Sequence, residues 1–255
     1  MFGVQRRTKI LSILNKNKSI LVNEVATMFE VTEETIRRDL KFLEKQGDLI
    51  RTHGGAVLPD DIKEEISIKI REGINSDGKN LIAKNAAKLV NDGDIIILDA
   101  STSALYMTKY LKDKTGLTVI TNAARIAIEL ADCNNIKVIS TGGILRAKSL
   151  SFVGRVAENA LKGYYANKMF FSCKGFSPKK GLTDSSEEEA GIRKLMIERS
   201  EKVIFLCDHT KFDKMGYVNT TDISKINKII SDTDIPKAWN DDVSEWDLEI
   251  LITKG

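Results

Sequence analysis

A chain of 255 residues, 42% hydrophobic and 29% charged, can bury a substantial core and divide into one small and one mid-sized domain. No apolar run approaches the ~20 residues that cross a bilayer, and polar residues interrupt the basic N-terminus too often for a signal peptide. The net charge is a modest +3, and Cys133, Cys173 and Cys207, odd in number and widely spaced, suit reduced cytoplasmic thiols rather than a disulfide framework or a zinc motif. That charge is unevenly placed. Residues 1–57 hold ten Lys/Arg against seven Asp/Glu, and the remaining 198 hold 29 of each. Contact with nucleic-acid phosphates must therefore come from local clustering of Arg6, Arg7, Lys9, Arg37, Arg38 and Lys41.

Residues 5–15 read as a helix with Ile10, Leu11 and Leu14 behind a basic Arg6-Arg7-x-Lys9 segment. Val22, Val25, Ala26 and Phe29 mark a short second helix, and Glu30-Val31 a tight connection. Glu30 stands where such a turn prefers Gly or Asn, which predicts local strain. The run Thr-Glu-Glu-Thr-Ile-Arg-Arg-Asp-Leu at 32–40 then opens a third helix. Thr32 is placed to cap it, and Glu33 and Glu34 complement its positive end. Ile36, Leu40 and Leu43 recur at i, i+4 and i+7 as a core-facing stripe, whereas Thr35, Arg37, Arg38 and Lys41 project away from it. A surface helix with solvated charges has the same pattern. Two short helices and a tight turn ahead of it instead make it the recognition helix of a helix-turn-helix, which presents its N-terminal end to the major groove. Gly47 is placed as a C-cap, and residues 48–57 alternate like a short hairpin, a wing with Arg51, Thr52 and His53 at its tip. His53 is as readily a structural or solvated histidine as a DNA contact.

Leu58-Pro59-Asp60-Asp61 breaks the wing. Ile62, Ile66 and Ile70 then recur at i, i+4 and i+8 in a helical stretch over 62–72 that suits a connector or a subunit contact equally well. This places a winged helix-turn-helix at 1–58, a connector at 59–76 and a second domain at 77–255. From Asp77 onward helical faces alternate with apolar runs. A helix over 81–90 leads to a strand at 95–98, one over 103–112 to a strand at 117–120, and one over 124–131 to a strand at 136–139. A strand at 169–171, a helix over 187–200 and strands at 203–206, 226–230 and 248–252 follow. Such alternation predicts an α/β fold, a mostly parallel sheet covered on both faces, with ligands in the crevice beyond the carboxyl ends of the strands.

The residues at those strand ends agree with a ligand site. Asp99-Ala-Ser-Thr-Ser103 follows the first strand and opens a helix, so three hydroxyls beside free backbone N–H groups form a cradle for a phosphate. Ordinary N-capping accounts for one of Ser101, Thr102 and Ser103 but not for all three. Thr121-Asn122 follows the second strand. Ser140-Thr-Gly-Gly143 follows the third, where Gly142 and Gly143 allow close backbone approach to a ligand or serve a turn alone. Lys174-Gly175, Gly181-Leu-Thr-Asp184, Glu187-Glu-Glu189 and Asp208-His-Thr-Lys-Phe212 add lysines and carboxylates. This is the set of groups that binding an anionic polyol requires.

Arg7, the nine-residue run at 32–40 and Arg51-Thr-His-Gly-Gly-Ala56 resemble the winged-helix head of DeoR-type bacterial repressors. The later segments resemble the same family's effector domain, a relative of ribose-5-phosphate isomerase and glucosamine-6-phosphate deaminase. They are Asp99-Ala-Ser-Thr-Ser103, Thr121-Asn122, Gly142-Gly143, Ser151-Phe-Val-Gly154, Ser172-Cys-Lys-Gly175, Gly181-Leu-Thr-Asp184 with Glu189-Ala190, and Asp208-His-Thr-Lys-Phe212. The resemblance covers nearly the whole chain. It implies a Rossmann-like second domain similar to ribose-5-phosphate isomerase, control of genes for carbohydrate uptake or breakdown, and release from a double-stranded operator by a phosphorylated sugar. It also implies a cytoplasmic homodimer or homotetramer that needs no membrane, metal or organic cofactor.

In this reading Thr35, Arg37 and Arg38 read or position the major groove, Arg7 and Lys41 hold phosphates, and Arg51 and His53 probe the backbone or minor groove. By the resemblance, Ser101, Thr102, Ser103 and Lys211 contact the sugar phosphate. Asp99, Asn122, Asp184 and Glu189 contact its hydroxyls, beside Gly142, Gly143, Lys174 and Gly175. The loop after Asp99 lacks a glycine, a departure that predicts a less close approach of backbone to phosphate. The rival reading is a sugar-phosphate isomerase or deaminase with a DNA-binding appendage, in which Asp99, Asp184, Glu189 and Lys211 supply an acid–base pair and a phosphate clamp. No complete catalytic constellation is present, so no catalytic residue is assigned. Activation of transcription is as compatible with these residues as repression.

Overall fold

The computed structural model describes residues 3–253 apart from 18, 47, 53, 59–64 and 66. The chain divides into two compact units, Met1–Ser76 and Asp77–Gly255. The first contains α1 (Gly3–Asn17), β1 (Ser19–Leu21), α2 (Val22–Phe29), α3 (Glu33–Gln46), β2 (Ile50–Arg51), β3 (Gly55–Val57) and α4 (Ile68–Gly73). Ile10, Leu14, Val22, Val25, Ile36 and Leu40 are buried together as its core, so the apolar stripes of all three leading helices converge as their spacing predicts. Thr32 caps α3, accepting Thr35 N at 3.3 Å on its hydroxyl. Glu30 closes α2 in the left-handed region at φ 53°, the strain expected where glycine is missing.

The wing differs from the simple hairpin expected of it. β3 pairs antiparallel with β2 on one side and with β1 on the other, making a three-stranded sheet. Arg51 lies within β2 opposite Ala56 rather than at the tip. Gly47, His53, the break at 59–61 and Ile62 and Ile66 of the connector stripe lie outside the described residues. Within that stretch α4 is described, and its Ile68 and Ile70 are buried.

The second unit runs α5 (Ser76–Ala87), β4 (Ile95–Leu98), α6 (Thr102–Leu111), β5 (Leu117–Thr121), α7 (Ala124–Leu130), β6 (Ile136–Ser140), β7 (Ile144–Arg146), β8 (Ser151–Val153), α8 (Arg155–Lys162) and β9 (Ala166–Phe171). It continues with β10 (Gly175–Ser177), β11 (Gly181–Asp184), α9 (Glu187–Glu198), β12 (Ser200–Cys207), β13 (Val218–Thr221), β14 (Lys228–Ser231), α10 (Asn240–Ser244) and β15 (Glu249–Ile252). Seven strands form one sheet in the order β15-β14-β12-β9-β4-β5-β6, and every pairing in it is parallel. Alternate residues of β4 serve opposite faces. Ile96 and Leu98 pack with α5, α6 and α7, and Ile97 packs with α8 and α9. A sheet covered on both sides explains why its strands are apolar runs without alternation. No helix among the described residues is long and apolar enough to cross a membrane.

Strand order locates the site. The chain enters the sheet at β4, extends one way through β5 to β6, and then resumes on the other side of β4 with β9. Loops leaving β4 and β9 therefore diverge to opposite faces and open a crevice at their carboxyl ends. Two antiparallel additions absent from the sequence reading border it: the β7–β8 hairpin and the sheet β10-β11-β13. Phe176 of β10 anchors the latter, meeting Phe205 of β12 and Trp239 edge-on at ring distances of 5.5 and 5.3 Å.

Candidate functional site

In the first unit, α3 presents Arg38 and Lys41, both exposed and without an ion-pair partner among the described residues. Arg37 pairs with Glu33 one turn earlier at 3.0 Å, a solvent-exposed pair that a DNA phosphate can replace at little cost. The Thr35 hydroxyl lies 3.0 Å from that of Thr32 and so belongs partly to the cap. Arg7 has an internal role. Its guanidinium lies 4.1 Å over the Phe42 ring and 3.4 Å from Asp39 Oδ1, while Arg6 Nε donates to Asp39 Oδ2 at 2.5 Å. Buried Asp39 thereby ties α1 to the recognition helix, a function that periodicity alone does not reveal. Arg51 is held likewise. Its N and Nε donate to Glu44 Oε1 and Oε2 at 3.0 and 2.7 Å, fastening the wing to α3.

In the second unit, Asp99 follows β4 at the switch point and is buried. Its Oδ1 accepts Ser101 N at 3.1 Å, and its Oδ2 accepts Arg193 Nε and Nη2 at 3.0 and 2.9 Å. Arg193, projecting from α9, also donates through Nη1 to Asp184 Oδ2 at the end of β11. That oxygen takes the Thr220 hydroxyl at 2.6 Å, and Asp184 Oδ1 takes Lys174 N at 3.2 Å. Burial pushes the Asp99 carboxyl up from its ordinary range against the pull of Arg193. Burial disfavours the Arg193 charge too, but Asp184, Asp99 and Glu189 outweigh it and hold the guanidinium protonated. Glu189 Oε1 accepts the Ser151 hydroxyl at 2.7 Å and lies 3.4 Å from Arg146 Nη1, both from the β7–β8 hairpin. Asp99, Asn122, Glu189 and Arg193 line a narrow cleft, with Ile192 and Met196 as an apolar wall.

Beside this cleft lies the cradle at the start of α6. Ser101 is its N-cap, accepting Ala104 N at 3.2 Å, so capping accounts for Ser101 and leaves Thr102 and Ser103 buried for other work. Asp208 follows β12. Burial pushes its carboxyl up, but the charges of Lys211 and Lys79 prevail and hold it below the ordinary value. Four buried oxygens in this unit have no hydrogen-bond partner among the described residues: Ser103 Oγ, Asn122 Oδ1, Ser172 Oγ and Asp208 Oδ2. They stand after β4, β5, β9 and β12, all at the same end of the sheet. The glycines behave differently. A Cβ on Gly143, whose φ is 114°, would lie 2.7 Å from Val153 O, and one on Gly175 would lie 2.2 Å from Lys214 O. Both are close because protein backbone packs there. Gly142 has open space around its missing Cβ.

The sequence reading gives no role to Lys79, Arg193, Arg146 or Thr220, and names Ser151, Ser172 and Asp208 only within longer segments. For two of them a signal existed. Lys79 precedes buried Ile82, Ala83 and Ala86 by helical steps, and Arg193 lies between buried Glu189, Ala190, Met196 and Ile197 in the same way. A charge on a core-facing stripe is rarely fully buried unless it is paired.

A helix-turn-helix head with a basic, exposed recognition helix, joined to a sheet with a polar cleft at its switch point, defines a DNA-binding regulator of transcription with a sensor domain. Residues 6–61 match the DeoR-like helix-turn-helix domain and residues 74–233 the DeoR C terminal sensor domain. The chain belongs to the DeoR family of transcriptional regulators. It is 48% identical over 238 residues to the uncharacterized HTH-type transcriptional regulator YulB of Bacillus subtilis (strain 168), covering 93% of this chain and 92% of that one. It is 32% identical to the HTH-type transcriptional repressor GlcR of the same organism, covering 100% of this chain and 98% of the relative. Among solved structures, ribose 5-phosphate isomerase A from Methanocaldococcus jannaschii is similar at 18% identity and a TM-score of 0.41, a likeness of fold alone. It spans 55% of this chain and 56% of that enzyme's.

Proposed function

We propose that this regulator represses an operon for carbohydrate uptake or catabolism and is released from its operator by a phosphorylated sugar. The four partnerless oxygens at the carboxyl end of the sheet carry the reading. A buried polar group left unpaired costs ~1–3 kcal/mol, and a ligand in the crevice removes that cost. A sugar phosphate offers the matching groups. Its phosphate oxygens suit the Ser103 hydroxyl, the α6 N-terminus and the charges of Lys79 and Lys211, and its hydroxyls can donate to Asn122, Asp99 and Glu189. Ile192 and Met196 face its C–H surface. Arg38 and Lys41 contact operator DNA, with Arg37 and Thr35 beside them and Arg7 and Arg51 at the margins. Asp99 and Asp184 both clamp Arg193, so neither is poised as a general base, which favours sensing over turnover.

A cytoplasmic homodimer or homotetramer would place two heads ~34–36 Å apart on a two-fold related site. Effector binding favours an arrangement that misses this spacing, with a coupling of ~1–3 kcal/mol. The reading is tested by thermal unfolding of the full chain with fructose 1-phosphate, fructose 6-phosphate, tagatose 6-phosphate, galactitol phosphate and deoxyribose 5-phosphate, each beside its unphosphorylated parent. One phosphate at 100 times its Kd should add ~2.7 kcal/mol of stability, and its parent should add none. No shift with any of them would remove the effector from the reading.

A further inference from the structure

We infer that residues 144–149, β7 and the turn after it, form a flap that shuts the cleft between β4, β5 and α9, and that Arg146 latches the flap by occupying the carboxylates of Glu188 and Glu189. The inference rests on the reading of this cleft as part of the effector site and adds the device that controls entry to it. The cleft lined by Asp99, Asn122, Glu189 and Arg193 has no room for a water molecule. Its Glu189 is already engaged. Glu189 Oε1 accepts the Ser151 hydroxyl at 2.7 Å and lies 3.4 Å from Arg146 Nη1. Arg146 Nη1 also donates to Ser149 Oγ at 3.2 Å, which lies 2.8 Å from Ser151 Oγ, and Arg146 Nε lies 3.0 Å from Glu188 Oε2. The guanidinium thus fastens the flap to the first turn of α9. A ligand hydroxyl that is to use Glu189 must first displace it. Little else holds the flap down. β7 belongs to no sheet but the two-stranded one it forms with β8, a ladder of three residue pairs. Ile144 and Leu145 are 68% and 50% exposed, so little apolar burial opposes lifting. β8 is the fixed base. Its Val153 is fully buried, Phe152 N donates to Asn122 O at 2.7 Å, and Asn122 Nδ2 donates back to Phe152 O at 3.1 Å. A pivot stands at each end of the flap. Gly142, at φ 60°, has open space around its missing Cβ, and Leu150 sits in the left-handed region at φ 49°. A few such residues can absorb the backbone rotation that opens a flap.

Thiol labelling of the full chain with iodoacetamide tests this. Ala100 lines the cleft and is buried, so Ala100→Cys in a Cys133→Ser background places a reporter thiol behind the flap. Cys173 and Cys207 are buried, and burial pushes both thiols up and away from reaction. The introduced thiol should react far more slowly than in the urea-unfolded chain. Adding Arg146→Gln should speed its labelling about tenfold, as loss of a charge-assisted hydrogen bond to a nearly buried carboxylate implies. Glu188→Gln, which breaks the latch from α9 and its more exposed pair, should speed it about threefold. The two together should label no faster than Arg146→Gln alone, because both act on one latch. Amide exchange in β4 and β12 should stay at wild-type rates throughout. Full reactivity of the thiol with the latch intact overturns the inference, and so does an unchanged rate in Arg146→Gln. Acceleration matched by faster exchange in β4 and β12 means loosening of the whole unit and overturns it as well. Should Arg146→Gln fail to fold, Glu188→Gln decides the matter. No ligand enters the measurement, so loss of the flap leaves the effector reading intact, and a negative panel of phosphates leaves the flap intact.

Discussion

Lys79 and Arg193 occupy positions that an apolar stripe would normally claim, and both are buried because the sheet end supplies their counter-charges. Lys79 is 2% exposed, and its charge helps hold Asp208 ionised in a buried setting. Because the folded-state pKa of Asp208 lies below the ordinary 3.8, its ionised form contributes stability that is complete above that value and is lost as pH falls through the lowered one. Lys79→Met removes one of the two cations responsible, so the Asp208 pKa moves back up and acid-induced loss of stability begins at higher pH. Near neutrality the variant should be less stable by ~3 kcal/mol, as for other broken buried charge interactions. Urea unfolding near neutral pH and thermal unfolding across the acid range measure the two effects. Wild-type behaviour in both would mean that Lys79 is not part of the site. Single residues can be singled out from sequence where polar residues dominate a loop after an apolar run, as at Asp99-Ala-Ser-Thr-Ser103. They were hidden where a charge sat inside a helical pattern, because composition does not say which face a lone lysine or arginine takes.

At the scale of elements, α3 carries the DNA-facing claim. Its buried side is fixed by Ile36, Leu40 and Leu43, and Asp39 fastens it through Arg6 and Arg7, leaving Arg38 and Lys41 facing outward. Arg38→Ala combined with Lys41→Ala should weaken operator binding and lower the slope of log affinity against log salt by about 2, one for each DNA phosphate that is no longer neutralised. Thermal stability should hold, since neither residue has an ion-pair partner among the described residues. A salt slope equal to wild type would place the phosphate-binding cations elsewhere in the head. Elements with a long apolar stripe or a four-residue apolar run were read correctly from the chain. β1, the β7–β8 hairpin and the β10-β11-β13 sheet were not. β11 is Gly-Leu-Thr-Asp and buried throughout, a pattern imposed by α9 and β13 packing over it and not by alternation along the strand. These short strands carry Asp184, Ser151 and Thr220; only Asp184 is given a role from the sequence, through the resemblance, because tertiary context and not alternation places the other two.

For the whole molecule, the sheet was inferable as a class from alternating helices and strands, and the rule for crevices at strand ends directs attention to the loops that carry Asp99, Asn122 and Asp208. The convergence of Asp99, Asp184 and Glu189 on one arginine came only with the structure, because Arg193 is 94 residues from Asp99 in sequence and 9 from Asp184. The central claim joins the two units: a ligand in the crevice of the second changes the affinity of the first for DNA. Fluorescence anisotropy with the full chain and a duplex selected by it from a random-sequence pool tests that claim most directly, in the presence of each phosphorylated sugar and its parent. A 5- to 150-fold loss of DNA affinity, roughly the range of typical coupling, is predicted for one phosphate and none for its parent. DNA affinity unchanged by a phosphate that demonstrably binds the protein would contradict the account.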